Sequence, residues 1–308
     1  MNNKYLPLSD VQRSYFYGRS KGTFLGGIST HFYIECMTSL DKDKLEKALN
    51  SVIKEQPSLR SYITSDGMQC CMDEAPEYYR IKETDISRLS YEEQEKKLLE
   101  IRKRCSNRIF DLDSWPMFEF NICITGRDKN VMIIDSDMMI MDGLSTEILI
   151  ESLYKYYEKD EPVREISIEA FEDHIALKEQ KKAKNYDNDK AFWKEIIEEL
   201  PSGPHFERTG GNEECTFDTR EISVPADKWG AKSRELKSER ILPSVYLTAA
   251  YAKLLSRWCG QSRITLNMTM SNRKGNAKAL LNAIGDFTEV MLVDFDFSMK
   301  KSLKEAVS

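Results

Sequence analysis

The residue types best suited to chemistry lie in one short segment in the first half of the chain. Asp137 and Asp142 interrupt an otherwise apolar run, and Ser145 follows them. A carboxylate is costly to bury without a partner, so each must either reach solvent in a cleft or pair with a cation. Such a segment could hold the polar atoms of a substrate. It is equally typical of a turn after a buried strand, in which Asp142-Gly143 ends the strand and Ser145 caps the next helix.

Other catalytic chemistry has little support in the sequence. Histidine is the usual general base near neutral pH, but His31, His174 and His205 share no motif. There is no G-x-S-x-G element of a serine hydrolase, and no glycine-rich loop that would indicate a nucleotide cofactor. The 7 cysteines are odd in number and form no C-x-x-C pair, which argues against a disulfide framework and a zinc site. We therefore expect no bound metal.

A family resemblance gives the segment a more specific meaning. The spacing Asp137-x-x-x-x-Asp142-x-x-Ser145 resembles the D-x-x-x-x-D-x-x-S signature of the heterocyclization domains of nonribosomal peptide synthetases. These domains are relatives of condensation domains, which hold H-H-x-x-x-D-G at that place. Further segments resemble the same family in the right order: residues 6–19, similar to F-P-L-T-x-x-Q-x-A-Y-x-x-G-R; residues 248–258, a helix ending in L-x-x-W; Thr265-Leu266-Asn267 followed by Arg273; and residues 285–288, G-D-F-T.

The resemblance implies a role for each matching residue. The expected catalytic residues are Asp137, Asp142, Ser145 and Asn267; the expected substrate-binding residues are Tyr15, Arg19, Asp286 and Thr288; and Arg273 is expected to be structural. By analogy with the family, Arg273 comes from the second lobe and forms a buried ion pair with Asp142.

The implied reaction has two stages. The amine of a carrier-bound Cys, Ser or Thr attacks an upstream acyl thioester, and the side-chain thiol or hydroxyl then closes a thiazoline or oxazoline ring with loss of water. The expected partners are two carrier proteins, peptidyl or aryl, whose phosphopantetheine carries the substrates, and no cofactor is expected on the domain itself. If Met1 is the native start, the donor carrier arrives in trans.

Two alternatives stay open. An ordinary condensation or CoA-dependent acyltransferase domain would need a histidine where Met138 stands. A catalytically inactive, truncated domain could still bind carrier proteins. The family's dehydrating Thr and Asp are expected beyond Ser308, so we expect the chain to be a C-terminally truncated domain that does not release a ring by itself.

The overall composition narrows the class of partner. The chain has 45 Lys and Arg against 51 Asp and Glu, a net charge of −6 with both signs interspersed. This gives no basic surface for a nucleic acid or an anionic membrane. No apolar run reaches 18 residues, and the first residues lack a signal-peptide pattern, so a cytoplasmic protein is expected.

The elements that must position these residues indicate an α/β (α+β) fold. The resemblance implies two chloramphenicol-acetyltransferase-like lobes in a V, the second one incomplete: residues 1–175, a linker at 176–190, and residues 191–308. Periodicity predicts helices at 10–18, 41–53, 91–108, 144–158, 191–200 and 242–258, and strands at 28–37, 59–63, 118–125, 131–135, 219–224, 263–270 and 289–295. The helix at 242–258 is expected to bury one face, formed by Leu247, Ala250, Tyr251, Leu254, Leu255 and Trp258. Strands in an incomplete second lobe are expected to leave apolar surface exposed.

Overall fold

The computed structural model describes residues 3–20, 27–159, 161–162, 165–207, 222–273 and 280–298. The chain divides into two compact units. Unit 1 takes the chain up to Lys181 and the later segment Ser271–Glu289, and unit 2 takes the described residues between Lys182 and Met270 and those after Glu289.

The described strands and helices alternate along the chain. The strands are β1 (Lys4–Pro7), β2 (His31–Thr38), β3 (Ser61–Ile63), β4 (Met68–Cys71), β5 (Lys82–Asp85), β6 (Phe118–Ile124), β7 (Asn130–Asp137), β8 (Arg263–Ser271) and β9 (Thr288–Asp296). The α-helices are α1 (Asp10–Gly18), α2 (Lys42–Glu55), α3 (Tyr91–Ser106), α4 (Gly143–Tyr154), α5 (Ile168–Ile196), α6 (Ala226–Ser238) and α7 (Pro243–Trp258). A 3₁₀ turn covers Pro57–Arg60, and a π-helical turn, Lys155–Lys159, follows α4.

Unit 1 is built on a four-stranded sheet in the order β2-β7-β6-β5. The strands β2, β7 and β6 pair antiparallel, whereas β5 runs parallel to β6. Seven of the eight residues of β7 are buried because helices cover both faces of the sheet. This explains its near-continuous apolar sequence, which alternation alone would not predict.

Two helices pack on one face of this sheet and one on the other. The face toward α2 and α4 buries Leu49 and Leu149 against Phe120 and Ile134. The opposite face buries Leu98 of α3, among others, against Ile133 of β7. The apolar residues of α2 recur at helical spacing and so form one buried stripe. The sheet therefore holds the end of β7, where the carboxylates begin, between packed layers.

A second sheet in unit 1 has the order β1-β4-β3. Leu6 of β1 joins a separate apolar cluster that includes Phe171 of α5, Leu280 and Phe287. Through this cluster, residues 280–287 pack as part of unit 1. That return segment brings the G-D-F-T motif to the same unit as Asp142.

Unit 2 contains α6, α7 and a two-stranded sheet of β8 and β9. Its small core packs Ala252 and Leu255 of α7 on Ile264. The predicted inward face of α7 is wrong in part: Leu255 is buried, but Trp258 is 74% exposed, and Leu247, Tyr251 and Leu254 are also exposed. The helix instead turns its alanines toward the strands, since small side chains let the backbones approach closely. Apolar surface is exposed on this unit, as expected.

Several elements differ from the sequence prediction. The predicted linker lies within α5, a single 29-residue helix in which only Ile168 and Phe171 are buried. The strands β1, β4 and β5 and the helix α6 were not predicted, since β5 and α6 are rich in polar residues and β4 is only four residues long. Residues 219–221 of the predicted strand 219–224 lie outside the described residues, and residues 222–224 form no strand. No helix within the described ranges is long and apolar enough to cross a bilayer.

Candidate active site

The carboxylate of Asp137 is completely buried at the end of β7. Arg19 donates from one guanidinium nitrogen to both of its oxygens, at 3.0 Å each. Ser29 donates its hydroxyl to Oδ2 at 2.8 Å, and the backbone N–H of Met139 donates to Oδ1 at 3.0 Å. Both oxygens are therefore occupied by donors within the protein. Asp137 therefore pairs with a cation and does not reach solvent.

Helix α1 positions Arg19 through its own local signals. Ser9 is the N-cap of α1 and forms a capping box with Gln12, which satisfies backbone groups at both positions. Gln12 is buried and donates its side-chain amide to the carbonyl of Met139 at 2.7 Å. Gln12, near the beginning of α1, thus contacts the segment after β7, and Arg19, just after the end of α1, contacts the last residue of β7.

Asp142 forms a second buried ion pair, with Arg273. The two guanidinium nitrogens donate to the two carboxylate oxygens at 3.0 and 2.9 Å, and both side chains are at most 5% exposed. Burial opposes ionisation of Asp142, but hydrogen bonds from Arg273 and Ser145 outweigh it and hold its pKa below the usual value. The predicted pairing is confirmed. Sequence order would place Arg273 in the second lobe, but Ser271–Glu289 belongs to unit 1, so the pair is internal to that unit.

The N-cap of α4 is Asp142 and not Ser145, because the helix already begins at Gly143. The carboxylate accepts from the Ser145 N–H at 2.8 Å and lies 2.7 Å from the Ser145 hydroxyl. That hydroxyl also accepts from Arg273 and from the N–H of Gly285, at 2.9 and 3.0 Å. Ser145 therefore bridges the start of α4, the arginine and the G-D-F-T segment.

Gly285 is required for this close approach. A Cβ at this position would lie 2.9 Å from the Phe287 ring and 3.0 Å from the Phe171 ring. These two rings stack with centroids 5.6 Å apart, and the Arg273 guanidinium lies 4.5 Å from the centroid of the Phe287 ring. The glycine of G-D-F-T is therefore explained by packing around the ion pair.

Tyr15 and Asp286 are the predicted substrate-binding residues with unusual electrostatics. Burial, followed by the charges of Asp286, Asp137 and Asp142, raises the pKa of the Tyr15 hydroxyl to about 12. Burial also raises the pKa of Asp286 to about 6, against the hydrogen bond from Thr288. Within the described ranges, the Tyr15 hydroxyl has no hydrogen-bond partner. It keeps its proton at neutral pH and can donate it to a ligand.

Unit 1 thus brings together all the predicted site residues except one. Asn267 lies on β8 in unit 2, where it is exposed. Sequence reasoning missed Ser29 and Gln12 as partners of the motif segment. It also assigned Arg19 to substrate, whereas the guanidinium contacts Asp137. The catalytic roles of Asp137, Asp142 and Ser145 stay predictions. In this structure, their hydrogen bonds fix the backbone at the end of β7 and at the start of α4. The part of the chain that the structure describes holds no cluster of side chains suited to a metal ion.

Comparison with known proteins places this arrangement in a family. The sequence profile of the family described as "Condensation domain" matches residues 2–308. The chain belongs to the condensation domain family.

Individual relatives of this condensation domain are distant but match it over nearly its whole length. It is 27% identical over 305 residues to bacitracin synthase 1 of Bacillus licheniformis, covering 95% of this chain and 6% of that protein. It is 26% identical over 297 residues to phenyloxazoline synthase MbtB of Mycobacterium tuberculosis, covering 95% of this chain and 21% of that protein. The chain thus spans a minor part of these relatives.

Solved structures show the same fold. A rhombohedral crystal form of the EpoB NRPS cyclization-docking bidomain from Sorangium cellulosum has a TM-score of 0.83 and is 26% identical. The match covers 98% of this chain and 61% of that one. The first condensation domain of the CDA synthetase has a TM-score of 0.78 at 17% identity, covering 99% of this chain and 72% of that one. The predicted mixed α/β fold is confirmed.

Removing one partner of the Asp142–Arg273 pair should destabilise unit 1. In Asp142→Ala, Arg273 is left buried without its carboxylate, which costs about 3–5 kcal/mol for a fully buried pair. We expect lower solubility and an earlier urea unfolding transition. The double variant Asp142→Ala/Arg273→Ala removes the uncompensated charge and should be less destabilised than the single variant. Glu100→Ala, which breaks a half-exposed pair with Lys97, serves as the control and should unfold like the parent. Equal stability of Asp142→Ala and Glu100→Ala would contradict the assignment.

The raised pKa of Asp286 predicts a pH dependence of stability. Between about pH 4 and 6, the folded chain holds this proton and the unfolded chain releases it, so the contribution of Asp286 lowers the free energy of unfolding as pH rises. Asp286→Asn removes this contribution. The free energy of unfolding of the variant, compared with that of the parent, should therefore increase by roughly 2 kcal/mol between pH 4 and pH 7.

Urea unfolding of both proteins at pH 4 and pH 7 measures this difference. Asp135 is buried with a pKa also raised to about 6, but it is present in both proteins and cancels. The exposed Asp128→Asn serves as the control. A pH-independent difference between Asp286→Asn and the parent would show that Asp286 has the same pKa in the folded and unfolded chains, which would contradict the raised pKa.

Proposed function

We propose that this condensation domain acts as a heterocyclization domain of a nonribosomal peptide synthetase. The observation that carries the proposal is the pair of residues at the histidine positions of the condensation motif. Asp137 stands at the first position, buried and ion-paired with Arg19, and Met138 stands at the second. Neither side chain offers a free base there, so the chemistry must differ from one that uses the second histidine.

The proposed reaction starts with amide formation between two tethered substrates. The amine of a carrier-bound Cys, Ser or Thr attacks the upstream acyl thioester, so that a C–N bond forms and the donor thiol leaves. The side-chain thiol or hydroxyl then attacks the new amide carbonyl, and water leaves as the ring closes. Because phosphopantetheine arms hold both substrates, positioning can supply roughly 7–11 kcal/mol of the barrier lowering without a strong base.

Two lines of support favour ring formation over simple condensation. The chain carries the Asp-x-x-x-x-Asp-x-x-Ser spacing, and its relatives include proteins named for such rings or for cyclization: a phenyloxazoline synthase and the EpoB cyclization-docking bidomain. Tyr15 gives the site a protonated donor of the kind that can hold a carbonyl oxygen during attack. The predicted partners are therefore a donor and an acceptor carrier protein.

Product analysis with loaded carriers tests this proposal. The chain, alone and followed by whatever its gene encodes after Ser308, is incubated with acyl-loaded and cysteinyl-loaded carrier proteins, and products are read by mass spectrometry. Amide formation followed by loss of one further water is the expected result for the longer polypeptide. An amide without water loss would reject heterocyclization and leave condensation. Carrier binding without either product would indicate an inactive binding domain. A ring formed by the 308-residue chain alone would show that residues 1–308 suffice.

The role of Asn267 is tested in the same assay. An amide side chain can both donate and accept, which suits holding an acyl or amide oxygen. Asn267→Ala should therefore slow ring formation, roughly tenfold for the loss of about 1.4 kcal/mol, without changing the unfolding midpoint. Thr269→Ala, exposed on the same strand two residues on, is the matched control. Unchanged product formation in Asn267→Ala would refute the role.

A further inference from the structure

Unit 1 has a cavity of about 360 Å³ between α2 and the π-helical turn after α4. None of the site residues described above lines it. Its volume lies at the lower end of the range for small-molecule sites. Ala48 and Ser51 of α2 form part of its wall, and the rest comes mainly from charged and aromatic side chains.

The cavity is rich in ammonium groups. Lys44 and Lys47 lie one turn apart on α2, and Lys159 comes from the π-helical turn. Among the residues that the structure describes, no carboxylate lies within salt-bridge distance of any of these lysines. Glu158 is the sole acidic residue of the lining. The lining therefore carries a net positive charge in a chain whose net charge is −6.

The aromatic wall is held in place by contacts within unit 1. Lys44 Nζ lies 4.3 Å from the centroid of the Tyr157 ring. The Tyr157 hydroxyl accepts from the backbone N–H of Asp41 at 2.8 Å and keeps its own proton to donate. Tyr156 is tied to Glu55 by a hydrogen bond from its hydroxyl. The cavity thus combines fixed aromatic rings with exposed lysine side chains.

The turn that carries Tyr156, Tyr157 and Lys159 is itself unusual. It is π-helical, a rare geometry that occurs mostly as single turns and is frequent at functional sites. The carbonyls at the C-terminal end of α4 are equivalent to about half a negative elementary charge, which repels a nearby anion. Three lysines against one glutamate outweigh this contribution.

We propose that this cavity binds the phosphate group of a small organic phosphate. Lysine ammonium groups bind phosphate as point charges, the free Tyr157 proton adds a donor, and the rings of Tyr156 and Tyr157 offer a face to a flat organic group. This binding function goes beyond heterocyclization and does not depend on it.

Isothermal titration of the 308-residue chain with three probes tests the proposal. Inorganic pyrophosphate and AMP should both bind saturably, more weakly at high salt, and uncharged adenosine should not bind in this way. Tighter binding of AMP than of pyrophosphate would identify a nucleotide-like ligand, whereas the reverse would identify the phosphate group alone; both patterns support the site. Absence of saturable binding by both phosphates overturns it.

Variants locate the binding within the chain. Lys47→Gln and, on the other wall, Lys159→Gln should each weaken pyrophosphate binding about fivefold, and Lys44→Gln/Lys47→Gln more. Lys54→Gln is the matched control, since Lys54 is exposed on the same helix but does not line the cavity. Unfolding midpoints should stay unchanged in all variants. Equal weakening by Lys54→Gln would show nonspecific attraction and reject the site.

Discussion

The architecture of unit 1 around the motif depends on one interaction, the buried ion pair between Asp142 and Arg273. Two charges this deeply buried are tolerated only because each finds a matching partner and further hydrogen bonds. The aspartate caps α4, and the arginine holds the segment that returns between β8 and β9. Ser145 completes the junction by bonding to both partners and to Gly285, whose carbonyl also accepts from the backbone N–H of Asp142. A change at any of these positions therefore disturbs a helix start, a strand end and a loop together.

This constraint changes what the acidic motif can do chemically. Two carboxylates in one short segment suggest acid–base chemistry, yet in this structure both are ion-paired with arginines. Asp137 holds the end of β7 to α1 through Arg19, and Asp142 holds α4 to the return segment. The groups left for a ligand are Tyr15, which keeps its proton at neutral pH, and Asp286, whose pKa is raised to about 6. Such a site suits a reaction in which tethering and orientation replace a strong base.

Much of the fold of unit 1 was predictable because its helices and strands have strong periodicity. The helix at Lys42–Glu55 and three strands of the central sheet, β2, β6 and β7, follow from their apolar sequences. The strand β5 and the helix α6 were missed because they are rich in polar residues, and β4 was missed because it is only four residues long. The face of α7 was misjudged because periodicity gives two apolar stripes. Packing on β8 and β9 selects the one with alanines.

The sequence by itself determined the family resemblance, the mixed α/β class and the pairing of Asp142 with Arg273. The cost of burying a lone carboxylate required a cation for Asp142, and the analogy with the family named Arg273 as that cation. Only the tertiary structure decided that Arg19 neutralises Asp137, that Asp142 is the cap of α4, and that the G-D-F-T segment packs within unit 1. The physical reason is that the Arg19–Asp137 and Ser145–Gly285 contacts join residues more than a hundred positions apart, whereas the cap depends on the exact residue at which α4 begins. Local patterns carry no information about which distant donor will fill a given carboxylate.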